Sequence, residues 1–503
     1  MRHAAILIAG LVLGAGPVLA FEAPDAVAAL PRTPAEAARV AAVTASPEEF
    51  AVAETYEARS GGAGSVADAG AGAFSHANAA LPEALRLDFE LGRAMFEKLW
   101  VSAPASTKAS DGLGPLYNAR SCAACHVNDG RGRPPSGPDD KPLALTLHLA
   151  VPAEPMAAMS GVHGWQPTAP DPRYGAQLQT FATAGLTAEG RLRVTWDAQE
   201  VRLADGKTHS LRKPVIAVDD LAHGPFTPEI MTSPRIAPPM IGLGLLEAIP
   251  AADILAREDP DDADGDGISG RANIVWSPAH GDPILGRFGL KAGSATVAHQ
   301  SAKAFANDIG VSSPAFPAPS GDCTPAQTLC RTAPHGDTDA RGDEIDAEGL
   351  AITVLYAANL AVPARRDVND PEVLRGKALF HGAGCAGCHT PKHVTHRVED
   401  APHRSFQLIW PYTDLLLHDM GPGLADGFTE GRATGQEWRT PPLWGIGLTA
   451  AVSGETSFLH DGRARSLLEA ILWHGGEAQA ARDAVAAMEK ADREALIRFL
   501  ESL

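Results

Sequence analysis

Four of the six cysteines lie in two copies of one pentapeptide, Cys-x-x-Cys-His. The copies read Cys122-Ala-Ala-Cys125-His126 and Cys385-Ala-Gly-Cys388-His389. The two thiols of such a motif can form thioethers with the vinyl groups of one haem, and the following His can bind its iron. Zinc knuckles usually space their cysteine pairs about 15–20 residues apart, whereas these pairs lie 263 apart (385 − 122). A thioredoxin-like dithiol leaves both histidines unexplained, so the sequence predicts two covalently bound c-type haems.

The remaining cysteines, Cys323 and Cys330, close a short Pro-containing segment, and no His follows either of them. In an oxidising compartment a local disulfide is the expected use of such a pair. A reactive dithiol is the alternative.

The helices that must position the haem motifs show an internal resemblance. Gly92-Arg-Ala-Met-Phe96 precedes the first motif and Gly376-Lys-Ala-Leu-Phe380 precedes the second, each with apolar residues at helical spacing. Both resemble the N-terminal helix of a small c-type cytochrome. We therefore predict a mainly α fold with two cytochrome c-like haem domains, at residues 86–340 and 341–503.

The first domain is expected to be enlarged by loops and a small antiparallel β insertion at about 143–220. Leu192, Val194 and Trp196 alternate with polar residues, and Asp205-Gly206 falls where a two-residue hairpin turn is expected. At the other end of the chain, apolar residues at i, i+3, i+4 and i+7 predict a closing amphipathic helix; they are Leu496, Phe499, Leu500 and Leu503.

The first 20 residues have the order of a secretory signal, with Arg2 and His3, then an apolar run, then small residues up to Ala20. The apolar run is interrupted too early for a membrane span, which needs about 20 residues. We expect cleavage after Ala20, a periplasmic protein, and an Ala-rich extension over 21–85 without chemistry of its own.

The net charge disfavours one class of binding partner. Lys+Arg 42 against Asp+Glu 61 gives a net charge of −19 over 503 residues, which disfavours sequence-blind nucleic-acid binding. With hydrophobic residues at 45%, the chain can bury a core and is not disordered.

An acidic loop has the opening of an EF-hand. Asp262, Asp264 and Asp266 alternate with small residues before Gly267, as in calcium loops. Position twelve is Asn273, where a bidentate Glu is usual. Calcium binding is the functional interpretation, and an acidic solvated turn is the alternative.

Five segments together resemble the di-haem oxidoreductase family, whose members are labelled thiol oxidoreductases or peroxidases. They are Ser-Pro-Arg-Ile-Ala-Pro-Pro-Met (233–240), Gly-Leu-Gly-Leu-Leu-Glu-Ala-Ile-Pro (242–250), Asp-Asp-Ala-Asp-Gly-Asp-Gly-Ile-Ser-Gly-Arg (261–271), Leu-His-Asp-Gly-Arg-Ala (459–464) and Trp-His-Gly-Gly-Glu-Ala (473–478). The resemblance covers about residues 85–503. The family is similar to bacterial di-haem cytochrome c peroxidases and MauG-type enzymes, which implies one haem that receives electrons and one that reacts with peroxide.

The peroxidase pattern implies a sixth ligand for the C-terminal haem. Its His-Asp-Gly segment leads into a helix whose Met binds iron, and His474 stands at that position here. A His389/His474 pair lowers the potential relative to a Met-ligated haem. A capping His before Gly475-Gly476 is the alternative for His474, and His460 and Met420 are alternative ligands.

For the N-terminal haem the pattern implies a Gln followed ten residues later by a catalytic Glu. Gln300 fits the Gln, but the Glu position is Gly310, so Asp308 or Glu247 must supply the carboxylate. Leu290 stands where the peroxidases have an electron-bridging Trp, which Trp276 could replace. No distal His is evident, although His148 and His163 follow the motif.

The peroxidase calcium site, carried across, implies Asn273 and Thr449 as ligands, with Ala451 where the peroxidases have Pro. The aspartates at 262–266 would then form a separate or altered site.

Together these features predict a periplasmic di-haem oxidoreductase, peroxidase-like, with hydrogen peroxide or another small oxidant as substrate. A small periplasmic cytochrome or cupredoxin would donate electrons through the C-terminal haem. A non-catalytic electron carrier, or oxidation of another substrate at the N-terminal haem, are the alternatives.

Overall fold

The computed structural model describes residues 25, 27, 29–138, 140, 143–337 and 342–503. The signal peptide predicted over 1–20 lies outside the described residues. Helix accounts for 29% of the chain and strand for 19%, so helix predominates, but strands are more extensive than the one small insertion that we predicted. No described helix is both long enough and apolar enough to cross a bilayer.

Thirteen α-helices are found in the described residues, and a π-helical turn, Phe305–Ile309, continues the fifth. They are α1 (Pro34–Thr44), α2 (Arg86–Glu97), α3 (Leu243–Glu247), α4 (Ala251–Leu255), α5 (Val297–Ala304), α6 (Thr328–Arg331), α7 (Ala347–Ala358), α8 (Pro371–Gly382), α9 (Gly421–Leu424), α10 (Thr449–Ser453), α11 (Leu467–Trp473), α12 (Gln479–Ala487) and α13 (Lys490–Ser502).

The strands are mostly short and form small separate sheets. They are β1 (Ala29–Leu30), β2 (Val101–Ser102), β3 (Asp111–Leu113), β4 (Leu116–Tyr117), β5 (Leu145–Pro152), β6 (Thr168–Ala169), β7 (Phe181–Ala182), β8 (Arg191–Arg202), β9 (Thr208–Asp219), β10 (Met231–Ile236), β11 (Ile274–Ser277), β12 (Asp282–Leu285), β13 (His393–Val394), β14 (Arg397–Val398), β15 (Leu408–Ile409), β16 (Leu417–Asp419) and β17 (Glu437–Arg439).

Antiparallel strands occupy the region of the predicted insertion and continue to Ile236. β8 and β9 form a hairpin that pairs Arg191 with Asp219. Its turn contains Asp205-Gly206, but the Leu203 N–H donates to Lys207 O, so three residues rather than two lie between them. β5 lies between β10 and β6. Its side chains alternate, so Leu145, Leu147 and Leu149 are buried in a core, and the residues between them face the opposite side.

Two helix crossings organise the haem-motif regions, and each depends on one glycine. α2 packs on α7, where a Cβ at Gly92 would overlap Ile352 O and lie 2.7 Å from Tyr356 Cβ. α8 packs on α13, where a Cβ at Gly376 would overlap Ala495 O. These are the two glycines that the sequence comparison aligned. α7 follows the boundary predicted at 340/341 but packs on α2, the helix that precedes the first motif.

Each crossing holds an aromatic side chain beside a motif histidine. The Phe96 ring lies 5.4 Å from Tyr356 and 6.1 Å from His126. The Phe380 ring lies 5.3 Å from Phe499 and 6.4 Å from His389. The two halves therefore repeat one packing arrangement, in which a helix pair positions the segment that carries the His.

The N-terminal extension is fastened to the C-terminal half by buried ion pairs. Glu57, which is 1% exposed, pairs with Arg365 and with Lys377 (2.8 Å). Glu54 pairs with Lys377 (2.9 Å) and with Lys392. Lys377 belongs to α8, so the extension helps to hold the helix that precedes the second motif.

We predict that Gly92→Ala and Gly376→Ala each lower the free energy of unfolding by about 1–3 kcal/mol, because the added methyl group overpacks a helix crossing. Denaturant unfolding of the holoprotein measures the change. Gly382→Ala in α8 is the matched control, since a Cβ there meets nothing within 4 Å. Equal effects at Gly376 and Gly382 would contradict the crossing as the cause.

Candidate functional site

The first Cys-x-x-Cys-His segment forms a tight turn whose histidine is held from behind. Cys122–Ala124 is a single 3₁₀ turn capped by Ser121, whose hydroxyl accepts from the Ala124 N–H (3.2 Å). His126 Nδ1 lies 2.8 Å from Pro238 O. A carbonyl only accepts, so Nδ1 carries the proton and Nε2 keeps its lone pair. Burial lowers the pKa of His126 to about 4, which keeps the imidazole in the neutral form that binds iron.

The second segment repeats this arrangement. His389 Nδ1 donates to Tyr412 O at 3.0 Å, and burial lowers the pKa of His389 to about 4. Tyr412 contacts Phe380 at the helix crossing of this half. Each motif thus presents two thiols and one neutral imidazole whose orientation a backbone carbonyl sets.

Both motifs open into one cavity of about 750 Å³. All four motif cysteines and both motif histidines line it. Much of the wall is aromatic or aliphatic, as a porphyrin face requires; the lining includes Phe74, Phe96, Leu246, Phe288, Phe305, Phe380, Trp438, Trp444, Phe458, Leu467 and Leu496. The cavity therefore fits flat apolar groups at both motifs and joins the two positions.

A second imidazole, that of His474, lines the same cavity as His389. His474 lies at the C-terminus of α11, and its Nδ1 donates to Ala470 O at 2.7 Å, so Nε2 keeps its lone pair. Burial lowers the pKa of His474. Burial is also the main cause of the lowered pKa of His389, and a positive charge on His474 would lower that pKa further.

The two alternative ligands also line the cavity. The His460 ring stacks on Trp438 at 3.8 Å, and its Nε2 lies 3.3 Å from an Asp461 oxygen. That nitrogen is therefore already engaged. Met420 lines the wall and packs against the C-terminal core. His474 is the better placed of the three because, within the described residues, its Nε2 has no hydrogen-bond partner.

The residues predicted to take part in catalysis do not all lie at the cavity. Asp308 and Gln300 both line the cavity, Asp308 on the π-helical turn and Gln300 on α5. Glu247 does not belong to the lining. Its carboxylate accepts from the Val297 N–H at 2.8 Å and lies 3.7 Å from Arg404, so it caps the start of α5.

Asp308 sits in an environment that suits proton transfer. Burial raises the pKa of its carboxyl to about 6, against a lowering effect of the hydrogen bond that Gln177 Nε2 donates (2.7 Å). π-helical turns often occur at functional sites. Position 310 cannot hold the acid of the peroxidase pattern, because Gly310 has φ +75° and a Cβ there would lie 2.6 Å from Gly114 Cα.

The residues considered for the electron-bridging position, and the histidines that follow the first motif, also differ in whether they line the cavity. Leu290 lines the cavity, whereas Trp276 packs against the N-terminal core and is not part of the lining. The lining tryptophans are Trp438 and Trp444. His148, on β5, lines the cavity and is neutral, because burial lowers its pKa well below the usual value. His163 is exposed.

The acidic loop brings some of the predicted calcium ligands together. Oxygens of Asp262 and Asp264 lie within 4.8 Å of one another and of Asp259, which sequence reasoning missed. Asp266 Oδ1 accepts from the Ile268 N–H at 2.8 Å. The loop abuts the second motif, since a Cβ at Gly387 would lie 2.6 Å from Ile268 Cδ1.

Asn273, Thr449 and Ala451 are placed differently. The Asn273 amide donates to Lys291 O (2.7 Å) and Glu430 O (2.9 Å) and accepts from the Arg432 N–H. The Thr449 hydroxyl donates to Ile446 O at 2.7 Å, and Ala451 is exposed. None of the three belongs to the aspartate cluster of the described residues.

Buried guanidinium groups test whether the cavity fits haem. Arg287 is 1% exposed, and its Nε and Nη2 have no hydrogen-bond partner. Arg131 and Arg439 bond backbone carbonyls, Leu459 O and Gly289 O respectively. Within the described residues none of the three has a carboxylate in hydrogen-bond range, the nearest to Arg287 being Asp25 at 3.9 Å. All three line the cavity.

Desolvation is the main cause of the lowered pKa of these arginines, about 10 in each case. Unpaired buried cations are costly, so an anion in the cavity is required to offset them. Haem propionates supply such carboxylates, and the residues present therefore fit the group. No sequence pattern marks these arginines, which stand alone in three distant segments.

Sequence and structure comparisons place these features in context. The profile of the family described as "Di-haem oxidoreductase, putative peroxidase" matches residues 55–503. No curated protein gives a significant match. A solved structure of hydrazine synthase from Kuenenia stuttgartiensis, pressurised with xenon, is 16% identical with a TM-score of 0.23. That match covers 38% of this chain and 65% of the other, so the chain spans less than two thirds of its length. The family match extends over most of the sequence and both cysteine motifs, and the chain belongs to the di-haem oxidoreductase family.

Proposed function

We propose that this chain is an exported di-haem c-type oxidoreductase that reduces hydrogen peroxide. Thioethers at Cys122/Cys125 and Cys385/Cys388 would hold one haem in each half, each half a cytochrome c-like domain. A small cytochrome or cupredoxin would donate electrons to the C-terminal haem. One observation carries the proposal: a single cavity is lined by both motifs, by a further imidazole with a free Nε2, His474, and by a carboxyl whose pKa burial raises, Asp308.

This difference between the two motifs assigns electron transfer to one haem and peroxide binding to the other. A haem with two imidazole ligands has no open position and suits electron transfer. Burial is the main cause of the lowered pKa of both motif histidines; the charges of His474 and His418 lower that of His389 further, and among the described residues no histidine does so for His126. The N-terminal motif is therefore the candidate for peroxide binding.

The bound haem would supply the iron and the electrons for O–O cleavage. Peroxide reduction takes H₂O₂, two electrons and two protons to two waters. Asp308 can accept the proton of bound peroxide as a carboxylate and return it to the oxygen that leaves as water. Gln177 fixes the carboxyl through its 2.7 Å hydrogen bond, and Gln300 adds a polar group to the same wall.

Calcium is a further part of the proposal. Asp259, Asp262 and Asp264 offer the oxygen ligands that Ca²⁺ prefers. Bound calcium would fix the loop against the second motif, to which Ser269 is also tied through Glu477 (2.9 Å) and His418.

An electron carrier is the second candidate, and His148 is the observation that favours it. Its neutral ring lines the cavity, so it could close the N-terminal iron as a sixth ligand. Cyanide or CO added to the holoprotein distinguishes the two functions: a Soret shift requires an open iron, and a carrier with both irons closed gives none.

Steady-state peroxide consumption with a reduced cytochrome donor tests the function. We expect turnover by the holoprotein and a loss of about 10²–10⁴-fold in Asp308→Asn. The carboxylate is the active form in the free enzyme, so kcat/KM should fall as the pH drops below about 6, the pKa of Asp308. No turnover in the parent protein, with both irons six-coordinate by resonance Raman, would remove the peroxidase function.

His474→Met should raise the reduction potential of the C-terminal haem and change its absorption spectrum, because Met ligation favours the reduced iron. Potentiometric titration resolves the two haems. His163→Met, at an exposed histidine, controls for the substitution itself. An unchanged spectrum and potential in His474→Met would show that His474 is not a ligand.

Arg287→Gln should lower the potential of the haem whose propionate it binds, because removing a nearby cation favours the more positive, oxidised iron. We expect at least a tenfold change in the reduced-to-oxidised ratio at fixed potential, about 59 mV for one electron. Arg404→Gln is the matched control, since Arg404 also has a buried Nε without a partner but lies outside the cavity lining. Equal shifts of the reduction potential in both variants would contradict the assignment of Arg287 as a propionate partner.

A further inference from the structure

A second, half-buried carboxyl lies close to Asp308 but outside the cavity lining. Asp322 Oδ2 accepts from the Ala176 N–H at 2.7 Å and from the Gln177 N–H at 3.0 Å. The side chain of the same Gln177 donates to Asp308 at 2.7 Å. One residue, Gln177, therefore contacts both carboxyl groups, with Asp308 on the cavity side and Asp322 on the far side.

The surrounding backbone leaves room for this carboxyl. Gly175 has φ +77°, and a Cβ there would overlap the Asp322 carboxylate. The loop that carries Asp322 packs on the π-helical turn, since a Cβ at Gly321 would lie 3.0 Å from Ala306 O. Two close glycine contacts thus place the Asp322 carboxyl against the element that bears Asp308.

The disulfide between Cys323 and Cys330 begins at the next residue. It ties the Asp322 loop to α6, where Cys330 is 5% exposed. The sequence singled out this cysteine pair, and the haem sites make no use of it. Its position gives it a role in holding Asp322 in place.

The charges around Asp322 favour a carboxyl that holds a proton. Within the described residues no cation forms an ion pair with it; Lys303 contributes at longer range, and Asp308 opposes ionisation. Burial raises the pKa of Asp322 to about 7.

We propose that Asp322 supplies protons to Asp308, and that the Cys323–Cys330 loop keeps it in position to do so. The inference rests on the proposed function, because peroxide reduction consumes two protons at the cavity. Asp322 gives its proton through a bridging water to the Asp308 carboxylate, and then, because it is only half-buried, recovers one from solvent. Each transfer moves one proton between carboxyl oxygens, and the electrons come from the donor protein.

The test compares Asp322→Asn with Asp171→Asn in the holoenzyme. Asn can still accept both backbone N–H bonds but cannot carry the proton. Asp171 is the matched control because it also accepts two backbone N–H groups, those of Arg173 (2.9 Å) and Tyr174 (3.0 Å), without touching Gln177. We expect turnover to fall at least tenfold in Asp322→Asn, with a larger solvent deuterium isotope effect and an altered pH profile, and neither change in Asp171→Asn.

Cyanide binding gives a readout that does not depend on peroxide. HCN loses its proton on binding, and an indicator dye follows that proton in stopped flow. In the parent protein the proton should appear together with the Soret change, and in Asp322→Asn it should lag behind. The double variant Cys323→Ser/Cys330→Ser should show a weaker form of the same lag, and it remains informative if Asp322→Asn folds poorly.

The outcomes separate the two proposals. Peroxide turnover in Asp322→Asn with the parent pH profile and isotope effect overturns the relay and leaves the function standing. If neither the parent protein nor Asp322→Asn consumes peroxide, but the variant shows the proton lag on cyanide binding, the relay is supported and the peroxidase function is overturned. Failure of both irons to bind cyanide overturns both, because no reaction at the cavity then requires protons.

Discussion

The close approach of two helix pairs, each through a single glycine, is the contact on which the rest of this structure depends. At Gly92 and Gly376 the backbone of one helix lies against a carbonyl of another. The approach brings Phe96 and Phe380 beside the motif histidines. A His that must present Nε2 to an iron needs a fixed ring plane, and packing plus one carbonyl bond supplies it. The insertions, the β-hairpin and the N-terminal extension are arranged around these two crossings.

Burial then sets the chemistry of the cavity. The same apolar enclosure keeps His126 and His389 neutral, raises the pKa of Asp308 and leaves Arg287 with no carboxylate closer than Asp25 at 3.9 Å among the described residues. Each of these effects is a desolvation cost, and each points to a bound group that offsets it or a reaction that uses it. In the proposed function, iron would bind the neutral imidazoles, propionates would balance the arginines, and peroxide reduction would use a carboxyl that can gain and lose a proton near neutral pH.

Sequence reasoning succeeded where the chemistry is local and failed where it is not. The two pentapeptides, the Cys323–Cys330 pair and the helices containing Gly92 and Gly376 are contiguous, so their spacing in the chain is close to their spacing in space. The packing of α7 on α2, more than 250 positions earlier, could not be predicted, because periodicity says nothing about the partner of a helix. Glu247 was a reasonable acid by composition, but its carboxylate caps α5.

By itself the sequence indicated two Cys-x-x-Cys-His motifs that can attach haem, the duplicated helix that precedes each motif, and the family. These depend on residue type and short-range spacing, which the covalent chain carries directly. Only the tertiary structure decided that both motifs share one cavity, that His474 and Asp308 line it, and that Gln177 bonds both Asp308 and Asp322. The two motifs alone lie 263 positions apart (385 − 122), and they meet because folding brings distant segments together, which no short-range pattern in the chain records.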